Sequence, residues 1–193
     1  CVALPAQGAV SGTVTDLTGS GFQDIVIANR YDMADPFASS DIYFGSKEEY
    51  SENRHIRIPA PWAEAVVAGR FNGTKLPSLA FSLGQYKKVR IFHSTELGVE
   101  WARFIDLDIT GGQLAAADLD GDGFDELIVR ENDSVKTTIY WGGANGISPE
   151  IFTVLPELPA EDQIVGKVSK TLRSNMEKEL KSPPLVQVIT YRD

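Results

Sequence analysis

The chain has 193 residues, so one domain is the default, and 42% of them are hydrophobic, which is enough to build a core. A formal net charge of −9 argues against a nucleic-acid partner, because such partners are met by basic surfaces. No apolar run approaches the roughly twenty residues of a membrane span, and the single cysteine, Cys1, excludes an internal disulfide.

The first predicted elements are two strands joined by a polar turn. The first strand lies near residues 9–16, and Ile25-Val26-Ile27 is an apolar β-branched run typical of the second. Oxygen-bearing side chains stand between them at Asp16, Thr18, Ser20 and Asp24. Two hydroxyls occupy positions where carboxylates would bind a cation more strongly. We therefore expect either a weak metal site or a turn that satisfies its own hydrogen bonds.

A second copy of this pattern runs without a gap from Arg70 to Phe81. Its oxygen-bearing positions are Asn72, Thr74 and Ser78. The cationic Arg70 stands at the first position and repels a metal ion, so we expect none to bind. Its guanidinium is a candidate to replace the cation by bonding the oxygens of the loop.

The third copy, residues 118–126, reads Asp-Leu-Asp-Gly-Asp-Gly-Phe-Asp-Glu. Three carboxylates at alternate positions repel one another, and oxygen ligands favour a hard cation such as Ca²⁺ over zinc. The last acid stands at the ninth position, directly before a strand, unlike the twelve-residue loop of an EF-hand. The predicted ligands are the side chains of Asp118, Asp120, Asp122 and Glu126 and the carbonyl of Phe124. A polar hairpin turn without metal is the alternative.

A fainter fourth copy begins near Lys167 and resumes at Leu185 after an insertion, residues 169–182, that is predicted to hold a short helix and no metal. The copies recur about every fifty residues, the spacing of propeller blades. Each clear copy continues into two more strand patterns, as in Ile42-Tyr43-Phe44 and His55–Ile58 of the first copy. Four short strands per copy predict a four-stranded meander, and such sheets bury both faces when they are arranged radially.

The residues Asp118–Glu126 and the strand end Tyr140-Trp141-Gly142-Gly143-Ala144 resemble FG-GAP (VCBS) repeats, the blades of integrin α-subunit propellers. The resemblance implies an all-β fold, a β-propeller of four-stranded antiparallel blades, over the single domain 1–193. About three and a half blades are expected, at residues 8–58, 63–106, 112–156 and, incomplete, 162–193. Because family propellers usually have seven blades, we expect a fragment of a larger propeller or a chain completed by a partner.

The resemblance places the calcium loops on a lower face and ligand contacts on the upper face. The ligand-contact candidates are Arg30, Tyr31, Asp32, Trp62, Tyr86, Arg130 and Asn132. Arginine and aromatic side chains are frequent at binding hot spots, and an aromatic ring can stack on a sugar. The competing interpretation is that Tyr31 packs its long loop down and that Trp62 fills the gap between blades.

The leading functional hypothesis is a non-catalytic, calcium-binding module that binds a protein or a glycan in adhesion. No nucleophile elbow, phosphate loop or zinc motif is present, and His55 and His93 are the only histidines. The alternatives are part of a calcium-dependent polysaccharide lyase or sugar dehydratase, and a structural spacer of a large surface protein.

The expected location is extracellular, at the cell surface or in the periplasm, because weak calcium loops suit extracellular calcium concentrations. Three interpretations of Cys1 stay open. It is the lipidated first residue of a lipoprotein, it pairs with another chain, or it marks only where the chain was cut.

Overall fold

A computed structural model describes residues 3–6, 8–30, 39–132, 134 and 136–155. In these residues the chain forms three four-stranded antiparallel sheets and one two-stranded hairpin, with helical structure limited to two short 3-10 turns. The predicted β-propeller architecture of four-stranded antiparallel blades is thereby confirmed. The predicted fourth blade, 162–193, lies outside the described residues.

The first blade pairs its strands in chain order, β1-β2-β3-β4. These strands are β1 (Ala9–Thr15), β2 (Asp24–Asn29), β3 (Ser40–Tyr43) and β4 (His55–Ile58). The third blade repeats this order with β11 (Gly111–Ala117), β12 (Glu126–Glu131), β13 (Thr137–Tyr140) and β14 (Phe152–Leu155).

The second blade differs by an insertion between its last two strands. Its strands are β5 (Ala63–Gly69), β6 (Ser78–Leu83), β7 (Lys88–Phe92) and β10 (Ile105–Leu107), paired in the order β5-β6-β7-β10. The inserted hairpin consists of β8 (Ser94–Thr95) and β9 (Gly98–Val99), which pair with each other.

The three blades share one register at their first hairpin. The last pairs before the turn are Thr15–Asp24, Gly69–Ser78 and Ala117–Glu126. In each blade the ninth position of the turn is thus the first residue of the second strand. The backbone pairing of the first and second strands closes each turn. We name these turns loop 1 (residues 16–24), loop 2 (70–78) and loop 3 (118–126).

The hydrophobic core lies between blades, as two clusters. One contains Val26 and Ile42 of the first blade with Phe81 of the second, all fully buried. The other contains Ile91 of the second blade with Leu127 of the third, also fully buried. Each sheet therefore buries apolar side chains against its neighbour. Radial packing of blades removes both apolar faces of a sheet from solvent in this way. Within the described ranges, no helix has the length and apolar character needed to cross a membrane.

Candidate metal centre

Loop 3 brings three predicted ligands together. One carboxylate oxygen from each of Asp118, Asp120 and Glu126 lies within 4.8 Å of the other two. The first two side chains are exposed, whereas Glu126 is only 1% exposed because it opens the buried strand β12. The cluster thus combines two exposed carboxylates, Asp118 and Asp120, with the buried carboxylate of Glu126.

The other atoms of loop 3 fix its turn. Asp118 accepts hydrogen bonds from the N–H groups of Gly121 and Gly123, at 2.7 and 3.0 Å. Both glycines have positive φ, +78° and +94°, where a side chain would be strained. Asp120 accepts from the N–H of Asp122, and Asp122 accepts from that of Phe124. Because a carboxylate has about four lone-pair sites, these bonds leave acceptor capacity for a cation.

Glu126 has an unusual protonation equilibrium. Its pKa is raised to about 7, mainly by burial and also by the charges of Asp120, Asp122 and Asp118, which together outweigh the lowering effect of the hydrogen bond from the Leu119 N–H. This carboxylate has negative neighbours and no cationic partner among the described residues. A bound cation would supply the missing positive charge, so the donor set fits a hard metal ion.

Loop 1 holds only two carboxylates and bonds largely to itself. Asp16 accepts hydrogen bonds from the N–H groups of Thr18, Ser20 and Gly21, and both hydroxyls also lie within 3.5 Å of its Oδ1. Although burial raises the pKa of Asp16, these hydrogen bonds outweigh it, and the pKa lies below its usual value.

The buried Asp24 closes loop 1. It accepts from the N–H groups of Leu17 and Gly45, at 2.9 and 2.8 Å. Burial, assisted by the charge of Asp16, raises the pKa of Asp24. The four predicted positions of loop 1 therefore lie around one turn with an internal hydrogen-bond network of its own.

In loop 2 the Arg70 guanidinium, the candidate replacement for a cation, makes no hydrogen bond to the described loop oxygens. Arg70 is exposed, and among the described residues only its backbone makes hydrogen bonds. The loop oxygens are instead bonded by hydroxyl groups, including that of Thr74 to Asn72 Oδ1 at 2.8 Å.

Loop 3 is hydrogen-bonded to the second blade through a residue that sequence reasoning missed. Asp125 accepts from the Arg70 N–H at 2.7 Å through its carboxylate and donates its own N–H to the Arg70 carbonyl at 2.9 Å. Two further backbone bonds join Gly143 to Phe71 and Gly73 to Ala144. The signal in the sequence was that Asp125 is an acid at the eighth position of loop 3, whereas the predicted ligands stand at odd positions. Its side chain is therefore expected to face away from the metal site.

The opposite ends of the strands carry a second polar cluster. Glu64 accepts from Arg30 at 2.8 Å and from Asn132 at 3.1 Å, so it joins all three blades. Two glycines make room: a Cβ at Gly84 would lie 2.3 Å from Glu64 Cδ, and one at Gly112 would lie 2.2 Å from Asn132 Oδ1. The sequence predicts Arg30 and Asn132 as ligand contacts but gives no signal for Glu64.

The remaining ligand-contact candidates have different placements. Trp62 has a left-handed backbone, with φ of 56°, and its carbonyl accepts from the Gly84 N–H at 3.1 Å, next to Glu64. Tyr86 is 45% exposed and Arg130 is exposed. Tyr31 and Asp32 lie outside the described residues. We call the end of the strands that carries Arg30, Glu64 and Asn132 the upper face.

Both histidines make contacts with neighbouring residues of the fold. His55 Nε2 lies 2.6 Å from Asp41 Oδ1, and its ring stacks on Tyr43. His93 packs against Gly146 of the third blade, where a Cβ would lie 2.7 Å from the imidazole, and burial lowers the pKa of His93.

Comparison with known families identifies one of the blades. Residues 110–143, which span β11, loop 3, β12 and β13, match the family model of the FG-GAP repeat. No curated protein matches the chain. The resemblance of the third blade to FG-GAP repeats is thereby confirmed, and the chain contains a propeller blade of the kind found in integrin-like modules.

Proposed function

We propose that this protein is a calcium-binding propeller module that binds a protein or a glycan and performs no catalysis. The observation that carries the proposal is the convergence of Asp118, Asp120 and Glu126 within a matched FG-GAP repeat, a type of repeat that often binds calcium. The ligand set is completed by the predicted Asp122 carboxylate and Phe124 carbonyl. All of these donors are oxygens, which suit Ca²⁺ and leave zinc without its preferred nitrogen or sulfur ligands.

The metal would act on the fold, because loop 3 is attached to the second blade. Calcium neutralises the carboxylates that repel one another, and the order it gives to loop 3 extends to Asp125 and its two hydrogen bonds with Arg70. Calcium is thus proposed to stabilise the contact between the second and third blades.

Calcium titration tests this role. We expect EDTA-treated protein to bind calcium in isothermal titration calorimetry and to melt at a higher temperature with calcium. Asp120→Ala should abolish both effects, because it removes a carboxylate from the cluster. Glu96→Ala is the matched control: this exposed acid lies in the β8–β9 hairpin of the second blade, is not part of the loop 3 cluster, and should leave binding unchanged. No binding heat and no thermal shift in the unaltered protein would refute the calcium proposal.

The ligand is proposed to bind on the upper face, at the end of the strands opposite the metal loops. There Glu64 accepts a hydrogen bond from one guanidinium nitrogen of Arg30, whose side chain stays 61% exposed. This contact holds the guanidinium in place before a ligand binds and leaves its other donors for the ligand. The exposed Tyr86 offers a ring nearby, at the end of the 3-10 turn Gly84–Tyr86. A guanidinium and an aromatic ring suit an acidic protein segment or glycan. An extracellular location follows as part of the proposal, since such loops fit millimolar calcium.

A binding array with matched arginine variants tests the ligand proposal. We expect the protein to bind a glycan or matrix protein, and Arg30→Ala to weaken that binding at least tenfold with little change in melting temperature, because exposed ion pairs contribute roughly 0–1 kcal/mol. Arg103→Ala, at a side chain 83% exposed and outside the upper-face cluster, is the control. Equal binding by both variants would refute the assignment of the upper face. New ultraviolet absorbance from uronate polysaccharides would instead support the lyase alternative.

A further inference from the structure

The centre of loop 2 is occupied by a side chain from another part of the second blade. The Ser94 hydroxyl oxygen lies 2.6 Å from the Leu76 carbonyl, 3.1 Å from Asn72 Oδ1 and 3.4 Å from Ser78 Oγ, and it is also hydrogen-bonded to the Thr74 hydroxyl. These four oxygens stand at the third, fifth, seventh and ninth positions of the loop. In loop 3 the same positions carry the predicted metal ligands Asp120, Asp122, Phe124 and Glu126.

Ser94 replaces a glycine of the other blades. The strand ends Phe44-Gly45 and Trp141-Gly142 correspond to His93-Ser94. The hydrogen bonds support this alignment: the Ser94 N–H donates to Ser78 Oγ at 3.0 Å, as the Gly45 N–H donates to Asp24 at 2.8 Å. Ser94 therefore brings a hydroxyl to loop 2 at a position where Gly45 and Gly142 carry no side chain.

The polar groups of loop 2 and Ser94 include both hydrogen-bond donors and acceptors, so they can pair with one another. The hydroxyls of Thr74, Ser78 and Ser94 supply three protons, and the carbonyl oxygens of Asn72 and Leu76 supply acceptors. No carboxylate stands at these positions, so the loop has no excess negative charge for a cation to neutralise. A neutral network of this kind is satisfied by hydroxyl protons alone.

We propose that the Ser94 hydroxyl occupies the position that a metal ion would take in a calcium-binding loop. Its hydrogen bonds hold loop 2 closed and prevent a cation from binding there. The inference depends on the proposed calcium site only for the identity of the ligand positions. It makes the edge of the second blade, which includes Arg70 and Gly73, independent of calcium. Only the third-blade side of that contact would then respond to the metal.

Removal of the hydroxyl tests the first half of the proposal without calcium. Ser94→Ala leaves the loop oxygens without their central partner, so we expect the melting temperature to fall by about 4–8 °C. The fall should be equal in EDTA and in calcium. Thr95→Val is the control, because the hydrogen bonds of the Thr95 hydroxyl among the described residues lie within the β8–β9 hairpin. A Ser94→Ala melting temperature equal to that of the unaltered protein would overturn the proposal.

Calcium stoichiometry tests the second half. Loop 2 is converted to an acidic loop by Arg70→Asp, Asn72→Asp, Thr74→Asp and Ser78→Glu, once with Ser94 retained and once with Ser94→Gly. We expect calorimetry to show one additional calcium only in the chain with Ser94→Gly. An additional calcium in both chains, or in neither, would overturn the exclusion by Ser94. Absence of calcium binding to the unaltered protein would be a separate result, and would refute the proposed function.

Discussion

Calcium binding is expected to weaken about tenfold for each pH unit below 7 and to become constant above it. The reason is Glu126, whose pKa is raised to about 7 by burial and by the neighbouring aspartates. Because the metal binds the carboxylate form, each pH unit below that pKa costs the binding constant a factor of ten. Calorimetry at pH 5, 6, 7 and 8 should therefore show about a fiftyfold difference between pH 5 and pH 7 and about a hundredfold difference between pH 5 and pH 8.

The control is Glu126→Gln, which keeps the shape of the side chain but cannot release a proton. This variant should bind calcium more weakly than the unaltered protein at pH 7, and its affinity should be nearly constant between pH 5 and 7. Equal affinity of the unaltered protein at pH 5 and pH 7 would contradict the assignment of Glu126 as a ligand.

The metal-free protein should show the opposite trend in stability. The pKa of Glu126 rises on folding from 4.5 to about 7, so between these values the folded state binds more protons than the unfolded state. The contribution of Glu126 to stability is therefore fully present below about pH 4.5 and is lost as the pH rises to 7. Bound calcium offsets this loss of stability because its positive charge stabilises the ionised Glu126 carboxylate. The increase in melting temperature on calcium binding should therefore be largest at neutral pH.

The hairpins and their loops could be predicted from sequence because their determinants are local. Alternating acids separated by glycines, followed at once by Leu127-Ile128-Val129, place a turn between two strands. The same spacing at Asp16 and Arg70 predicts the same register, and the ladder pairs before each turn agree. The repeat period then predicts the propeller, since single blades of this composition cannot bury both faces.

The contacts that join blades could not be predicted, because they depend on how the sheets stack. Glu64 lies in a strand with no motif around it, yet its partners are Arg30, 34 residues away, and Asn132, 68 residues away. Asp125 meets the Arg70 N–H across 55 residues. The substitution of a glycine by Ser94 is visible in the repeat alignment, but its meaning depends on the loop oxygens that the fold places around it.

A large effect on stability is expected from a single methyl group at Gly142. A Cβ there would lie 2.4 Å from the Asp125 carbonyl oxygen, a backbone atom that cannot rotate away. The backbone of Asp125 must shift, and with it the two hydrogen bonds to Arg70. We expect Gly142→Ala to cost about 3 kcal/mol, the upper end of the range for overpacking, and to lower the melting temperature by about 6–12 °C.

The neighbouring glycine provides the control for Gly142→Ala. A Cβ at Gly143 would meet no atom within 4 Å, and Gly143 has no positive φ, so Gly143→Ala should change stability by less than about 0.5 kcal/mol. Calorimetry on both variants should also show weaker calcium binding only for Gly142→Ala, because Asp125 stands beside Glu126. Equal melting curves for the two variants would mean that the contact with Asp125 relaxes freely. In that case loop 3 would not transmit the state of its metal site to the second blade.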